Sequence, residues 1–242
     1  MKMKWHFIKG VFLLAFVATL YGFANYQNEQ QVVKDVKVRF EEGENLFMSY
    51  QMVNKLLIQN NDTLQKKTKS LIDLNELEAQ VLAHPMVENA KAYITVEGRL
   101  NFSIKQRTPI GRIVTNTNAV YIDRQGSLMP LSSNYSARVP LVTGVFNADD
   151  TNSLYELLIY IWGDDFWRKQ IVGVHILPND EYQLRTRVGN QKVTFGTLNK
   201  LEKKFENLKA FYSYAMHNET LKNYKELNLK YNQQVVATKI GV

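Results

Sequence analysis

No cysteine occurs among the 242 residues. That excludes disulfides, thiolate metal centres and cysteine nucleophiles, and it leaves the compartment open. The four histidines, His6, His84, His175 and His217, do not pair at metal-ligand spacing. There is no G-x-S-x-G nucleophile elbow and no glycine-rich phosphate loop. Asp164-Asp165 is the tempting carboxylate pair, but it lies between Trp162 and Phe166. Adjacent carboxylates in such a setting read as a helix cap or a solvated turn rather than as an acid and a base. No repeat or low-complexity tract is visible. The sequence therefore predicts no enzyme, no cofactor and no metal site.

Charge is also missing from one long stretch. No ionisable acid or base lies between Gly10 and Asn28, while Val11, Phe12, Leu13, Leu14, Phe16, Val17 and Leu20 make the stretch apolar. A run of this length can cross a bilayer core of about 30 Å. Lys2, Lys4 and Lys9 precede it with no acidic residue, so the positive-inside tendency predicts a cytoplasmic N-terminus. A cleaved signal peptide is the competing reading, with Gly22-Phe23-Ala24 as the small-residue site. The long apolar run and the bulky Tyr21 and Phe23 favour an uncleaved anchor. Either reading places the chain after residue 28 outside the cytoplasm.

The formal charge is +7. Setting aside the three N-terminal lysines leaves 27 basic and 23 acidic residues, or +4. Residues 200–242 hold eight Lys and four Glu, which alone gives +4. Solvated helix faces account for these lysines; a nucleic-acid reader needs a denser patch with interleaved aromatics.

Beyond the anchor, Val36, Val38 and Phe40 alternate with Lys37 and Arg39, as in a half-buried strand. Residues 41–45 break it. Ser49 is placed to cap a helix with Met52, Val53, Leu56 and Leu57 on its apolar face. A polar stretch, 59–70, reads as a loop. Asp73 and Glu76 have the spacing of an N-cap and its third-residue partner, opening a second helix whose buried face is Leu74, Leu77, Val81 and Leu82. His84-Pro85 ends that helix. Alternation over Ala90–Val96, a turn at Glu97-Gly98-Arg99 and alternation over Leu100–Lys105 predict a hairpin. The order is β-α-α-β-β, closed by Arg107-Thr108-Pro109. Further on, short strands are expected at 112–115, 119–123, 139–143, 172–176, 182–186 and 192–195. Turns are expected at Asp123–Gly126 and Val188–Asn190, and helices within 152–162 and over about 198–216. Two late strands are expected, Leu227–Tyr231 and Gln234–Ile240.

This ordered set resembles the FtsQ/DivIB family of bacterial cell-division proteins. The features that carry it are the anchor, Asp73-Leu74-Asn75, His84-Pro85-Met86-Val87 and the Gln106-Arg107-Thr108-Pro109 corner. Tyr121-Ile122-Asp123-Arg124-Gln125-Gly126, Val139–Gly144, Phe195-Gly196 before a long helix and the closing Leu227–Ala237 complete it. The family often has Glu where Gln106 stands, Trp where Met86 stands, and Asp-Leu-Arg-Tyr where this chain has Asn228-Leu229-Lys230-Tyr231. The resemblance implies an α+β fold: a cytoplasmic tail (1–9), a transmembrane helix (10–28), a POTRA-like domain (29–109), and a mixed β domain with two helices (110–242). It implies a non-enzymatic, single-pass scaffold of the divisome, coupling early division proteins to septal wall synthesis in the cytoplasmic membrane. FtsB- and FtsL-like proteins are its implied partners. The expected receiving strand is the last one, with Tyr231, Gln234, Val235, Val236 and Lys239 as contact residues. Arg107 and Pro109 are expected to fix the interdomain corner, and the hairpin strand Leu100–Gln106 belongs to a second recruiting surface. Two other readings are an export or envelope-assembly factor, which usually carries several POTRA repeats or a barrel, and a cell-wall hydrolase, which needs an acid/base set.

Overall fold

The computed structural model describes residues 3–41, 47–59, 67–115, 118–145, 151–231 and 233–241. The chain is α+β and forms two compact units, Met1–Gln106 and Arg107–Val242. Most of the breaker expected at 41–45 and most of the polar stretch 59–70 lie outside the described residues.

The first unit opens with α1 (Met3–Glu29), whose stretch Phe7–Glu29 is long and apolar enough to cross a membrane and is not buried in the protein. A helix apolar on all sides that finds no protein cover fits a membrane anchor. There follow β1 (Asp35–Phe40), α2 (Tyr50–Gln59), α3 (Leu74–Leu82), β2 (Val87–Ile94) and β3 (Arg99–Gln106). The sheet order is β1-β3-β2, with β1 parallel to β3 and β2 antiparallel to it. The two helices supply the crossover a parallel neighbour needs. The hairpin turn requires Gly98: its φ is +86°, and an added Cβ would lie 2.8 Å from the Val32 carbonyl oxygen.

Local signals act as expected at both helix starts. The Ser49 hydroxyl accepts from the Met52 N–H at 3.2 Å. The Asp73 carboxylate accepts from the Asn75 and Glu76 N–H groups at 2.9 and 3.1 Å. Val53, Leu57, Leu77 and Val81 bury with Leu100, Phe102 and Ile104. Leu82 departs from the expected buried face and is 47% exposed. It is the last residue of α3, and one step of 100° beyond Val81 turns it away from the core.

At the stop, the His84 Nδ1 accepts the Met86 N–H at 3.2 Å, and burial pushes the imidazole pKa below its ordinary value. Accepting requires an unprotonated Nδ1. Because the folded-state pKa is the lower one, stability is complete above the ordinary histidine range and is lost as pH falls through it. Melting the full chain between pH 7.5 and 5 is expected to show this loss, and His84→Gln should flatten it. An unchanged pH profile in the variant would refute the assignment.

The second unit is a nine-stranded mixed sheet with helices. Its elements are β4 (Pro109–Val114), β5 (Ala119–Asp123), β6 (Leu128–Pro130), β7 (Leu141–Gly144), α4 (Thr151–Gly163), α5 (Asp165–Gln170), β8 (Ile171–Leu177), β9 (Glu181–Thr186), β10 (Lys192–Gly196), α6 (Leu201–His217), β11 (Tyr224–Asn228) and β12 (Val236–Lys239). The order is β12-β11-β10-β9-β8-β7-β4-β5-β6. Register aligns Ile113, Val142, Val174, Leu184, Val193 and Leu227 in one row across six strands. That row shares a single core with Leu154, Leu157 and Leu158 of α4, Trp167 of α5, and Phe205, Leu208 and Tyr212 of α6.

Three expectations change. A third helix, α5, joins the two expected ones, and Asp164 caps it, as the helix-cap reading of the Asp164-Asp165 pair had it, by accepting from the Phe166 and Trp167 N–H groups. The Asp164 carboxyl feels an upward push from burial, but the ammonium of Lys209, 2.7 Å away, and the two N–H donors hold it below its usual range. Strand β6 was not foreseen. The late strands differ: β11 is shifted to Tyr224–Asn228, leaving Leu229–Tyr231 outside it, and β12 covers only Val236–Lys239.

Candidate docking edge

The last strand closes one end of the sheet. β12 pairs antiparallel with β11, joining Asn228 to Val236, Leu227 to Ala237 and Glu226 to Thr238. Among the described residues, no strand lies on its other side. Side chains alternate: Val235 and Ala237 pack on the core, while Val236 is 42% exposed and Thr238 and Lys239 face solvent.

Backbone directions follow from two bonds. The Ile240 N–H donates to the Asn223 carbonyl at 2.8 Å, and the Leu229 N–H donates to the Thr194 carbonyl on the opposite flank of β11. Peptide groups alternate sides along an extended strand. The N–H groups of Val236 and Thr238 therefore point into the sheet, and those of Ala237 and Lys239 point to the open edge. Val236, one of the expected contact residues, therefore turns its N–H toward β11.

Of the expected contact residues, Val236 and Lys239 lie in β12, and Gln234 and Val235 immediately precede it. Tyr231, 54% exposed, sits at the preceding bend; its neighbour Asn232 is outside the described residues. Beside Tyr231 is a concavity lined by Asn199, Lys203, Lys204, Asn207 and Lys230, which sequence reading assigned to a solvated helix face. Lys204 donates to the Phe195 and Thr197 carbonyls at 2.9 and 2.7 Å, and burial lowers its pKa. Lys230 pairs with Glu181 at 2.7 Å. Its stem crosses Gly196, where φ is +74° and an added Cβ would sit 2.9 Å from Lys230 Cγ. That contact gives the Phe195-Gly196 motif a physical reason.

The corner residues each acquire a partner within their own unit. In the first unit, Gln106 Oε1 accepts the Phe47 and Met48 N–H groups at 2.9 and 3.0 Å. Either an amide or a carboxylate oxygen can do this, so Gln106 keeps the acceptor role of a glutamate. In the second, the Arg107 guanidinium pairs with Asp123 at 2.7 Å, the two side chains being 24% and 2% exposed. Asp123 also accepts the Gln125 and Ser127 N–H groups at 2.9 and 2.8 Å. Pro109 is buried and opposes Asp123 in the β4–β5 pair. The strand Leu100–Gln106, expected to contribute to a second recruiting surface, is β3; it is central in its sheet, so the free edges there belong to β1 and β2.

Among the described residues, no group of three or more His, Cys, Asp or Glu is placed to hold a metal. The edge offers backbone donors, an aromatic and basic side chains, groups suited to recognising a partner segment.

A family model described as "FtsQ/DivIB, C-terminal related" matches residues 108–238, and one described as a POTRA-like domain matches residues 31–105. Comparison with curated proteins gave no match. One similar solved structure is the major extracytoplasmic domain of the trans isomer of the bacterial cell division protein DivIB from Geobacillus stearothermophilus. It is 12% identical with a TM-score of 0.26, covering 34% of this chain and 71% of that chain.

Proposed function

The chain belongs to the FtsQ/DivIB, C-terminal related family, which supports a role in bacterial cell division, and we propose that it acts there as a membrane-anchored binding scaffold. In this reading α1 holds it in the cytoplasmic membrane with the N-terminus inside and both folded units outside, at the septum. The open side of β12 receives an extended segment of an FtsB-like protein bound to an FtsL-like one. Main-chain bonds from Ala237 and Lys239 supply affinity, and Tyr231, Gln234, Val235, Val236 and Lys239 supply selectivity. Arg107 and Pro109, an ion-paired residue and a proline at the boundary, stiffen the joint. The observation that carries the proposal is the unpaired outer side of β12 at the sheet edge.

The test is binding of the full-length protein, in detergent, to the FtsB–FtsL-like pair. Ala237→Pro removes a donor that the fold does not use, so the sheet should form and affinity should fall about threefold to tenfold. A folded Ala237→Pro protein that binds as well as the parent would exclude this edge. In growing cells, a fluorescent fusion at the N-terminus should form a midcell band before constriction; an even envelope signal throughout the cycle would argue for an export or assembly role instead.

A further inference from the structure

On the sheet face away from the helices, register lines up Arg112, Leu141, Gly173, Arg185 and Lys192, one residue per strand. A parallel row holds Thr143, His175, Gln183 and Thr194. Strand β8 is irregular here: between Ile171 and Gly173 it advances two residues while β9 advances one. Such bulges bend a strand and re-aim its side chains. With Gly173 contributing no side chain, the result is an open groove of about 760 Å³ between Leu141 and Arg185.

The lining charge is of one sign. Arg185, Arg187 and Lys192 line the groove beside His175, and among the described residues no carboxylate does. Arg185 uses its Nε on Asn190 at 3.2 Å. Arg187 and Lys192 have no ion-pair partner among the described residues. Arg112, next along the row, keeps a buried Nε without a hydrogen-bond partner. The nearest acid in the row is Glu226, beyond Lys192, and the Thr194 hydroxyl donates to it at 2.9 Å. Leu141, 44% exposed, adds an apolar wall.

We propose that this groove binds an acidic, extended peptide segment of a partner protein, seating a carboxylate against Arg185 and Lys192 and an apolar side chain against Leu141. The mixed lining favours a peptide over a bare polyanion. Guanidinium groups pair with carboxylates in a fixed geometry, whereas a phosphate polymer or lipid surface gains nothing from an apolar wall or a notch one residue wide. The proposal is independent of strand addition at β12.

The probe is a fluorescein-labelled peptide containing Glu-Leu-Glu-Leu-Glu, with Gln-Leu-Gln-Leu-Gln as its neutral twin, titrated with full-length protein in detergent by anisotropy. The acidic peptide should bind at least about tenfold tighter than the neutral one, and Arg185→Ala and Lys192→Ala should each weaken it about tenfold. Both side chains are exposed, so these variants should keep the parent circular dichroism and melting point. Equal binding of the two peptides would overturn the proposal, as would undiminished binding by both variants. So would equal competition by polyphosphate or phosphatidylglycerol vesicles at matched charge, which would make the patch a general basic surface.

Discussion

Asp123→Ala is expected to lower the stability of the unit Arg107–Val242 by about 3–5 kcal/mol, a large share of the 5–15 kcal/mol typical of a domain. Three losses combine. The Arg107 guanidinium loses its carboxylate in a setting where Asp123 is 2% exposed, and the Gln125 and Ser127 N–H groups lose the oxygen that closes the β5–β6 turn. That turn is also held from outside. Gly126 has φ +80° with the Tyr155 ring against it, and the Tyr155 hydroxyl donates to the Arg124 carbonyl at 3.0 Å. Asp123→Asn keeps an acceptor oxygen but removes the charge, so it should cost roughly half as much. Arg107→Ala strands a buried carboxylate and should cost about 2–4 kcal/mol, moderated by the quarter of the arginine that water reaches. Urea unfolding followed by tryptophan fluorescence reads this unit, because Trp167 is buried in its core. Losses below about 1 kcal/mol for both Asp123→Ala and Arg107→Ala would mean that the pair does not hold the corner.

Gly144→Ala should cost about 3 kcal/mol or more. Gly144 has φ +104°, and a Cβ there would lie 2.1 Å from the Ile176 carbonyl oxygen. The obstacle is backbone in the neighbouring strand, hydrogen-bonded to the Val145 N–H, so no side chain can swing aside. Strain at a left-handed position and overpacking each cost about 1–3 kcal/mol, and here they coincide. Gly163→Ala is the control. Nothing lies within 4 Å of its added Cβ and its backbone is not left-handed, so its melting point should stay level or rise slightly. Similar melting for the two variants would contradict the geometry at Gly144.

The features legible in the sequence are those governed by neighbours along the chain. Ser49 and Asp73 cap helices because the N–H groups they satisfy are two or three residues away. Strands β1, β2 and β3 alternate because half their side chains meet helices. Asp123 through Gly126 turns because the glycine accepts a positive φ. Features that rest on partners far along the chain were not legible. Six residues in α5 and three in β6 are too few for a period to show. The alternation Leu227–Tyr231 looks like strand, yet only its first two residues pair within β11. Gln191 reads as an ordinary loop residue. In the fold it is fully buried, donating to the Leu221 carbonyl at 3.0 Å and accepting from the Tyr212 hydroxyl at 2.8 Å. The docking edge was readable as a late strand, but which of its N–H groups face outward depends on its register with β11. The basic groove needs strands β7 through β10 side by side before its charges meet.

The parallel joint between β10 and β11 bears on the order of assembly. A parallel neighbour cannot form by a tight reversal; the chain must first travel through α6 and return. β11 then seats beside β10, and β12 folds back onto β11 as the outermost layer. During synthesis the earlier strands and α4 emerge first, so a chain released before its last strands can build most of the sheet and still present β10 where β12 should stand. The surface proposed for recruitment thus exists only in a chain that has been made and folded through β12.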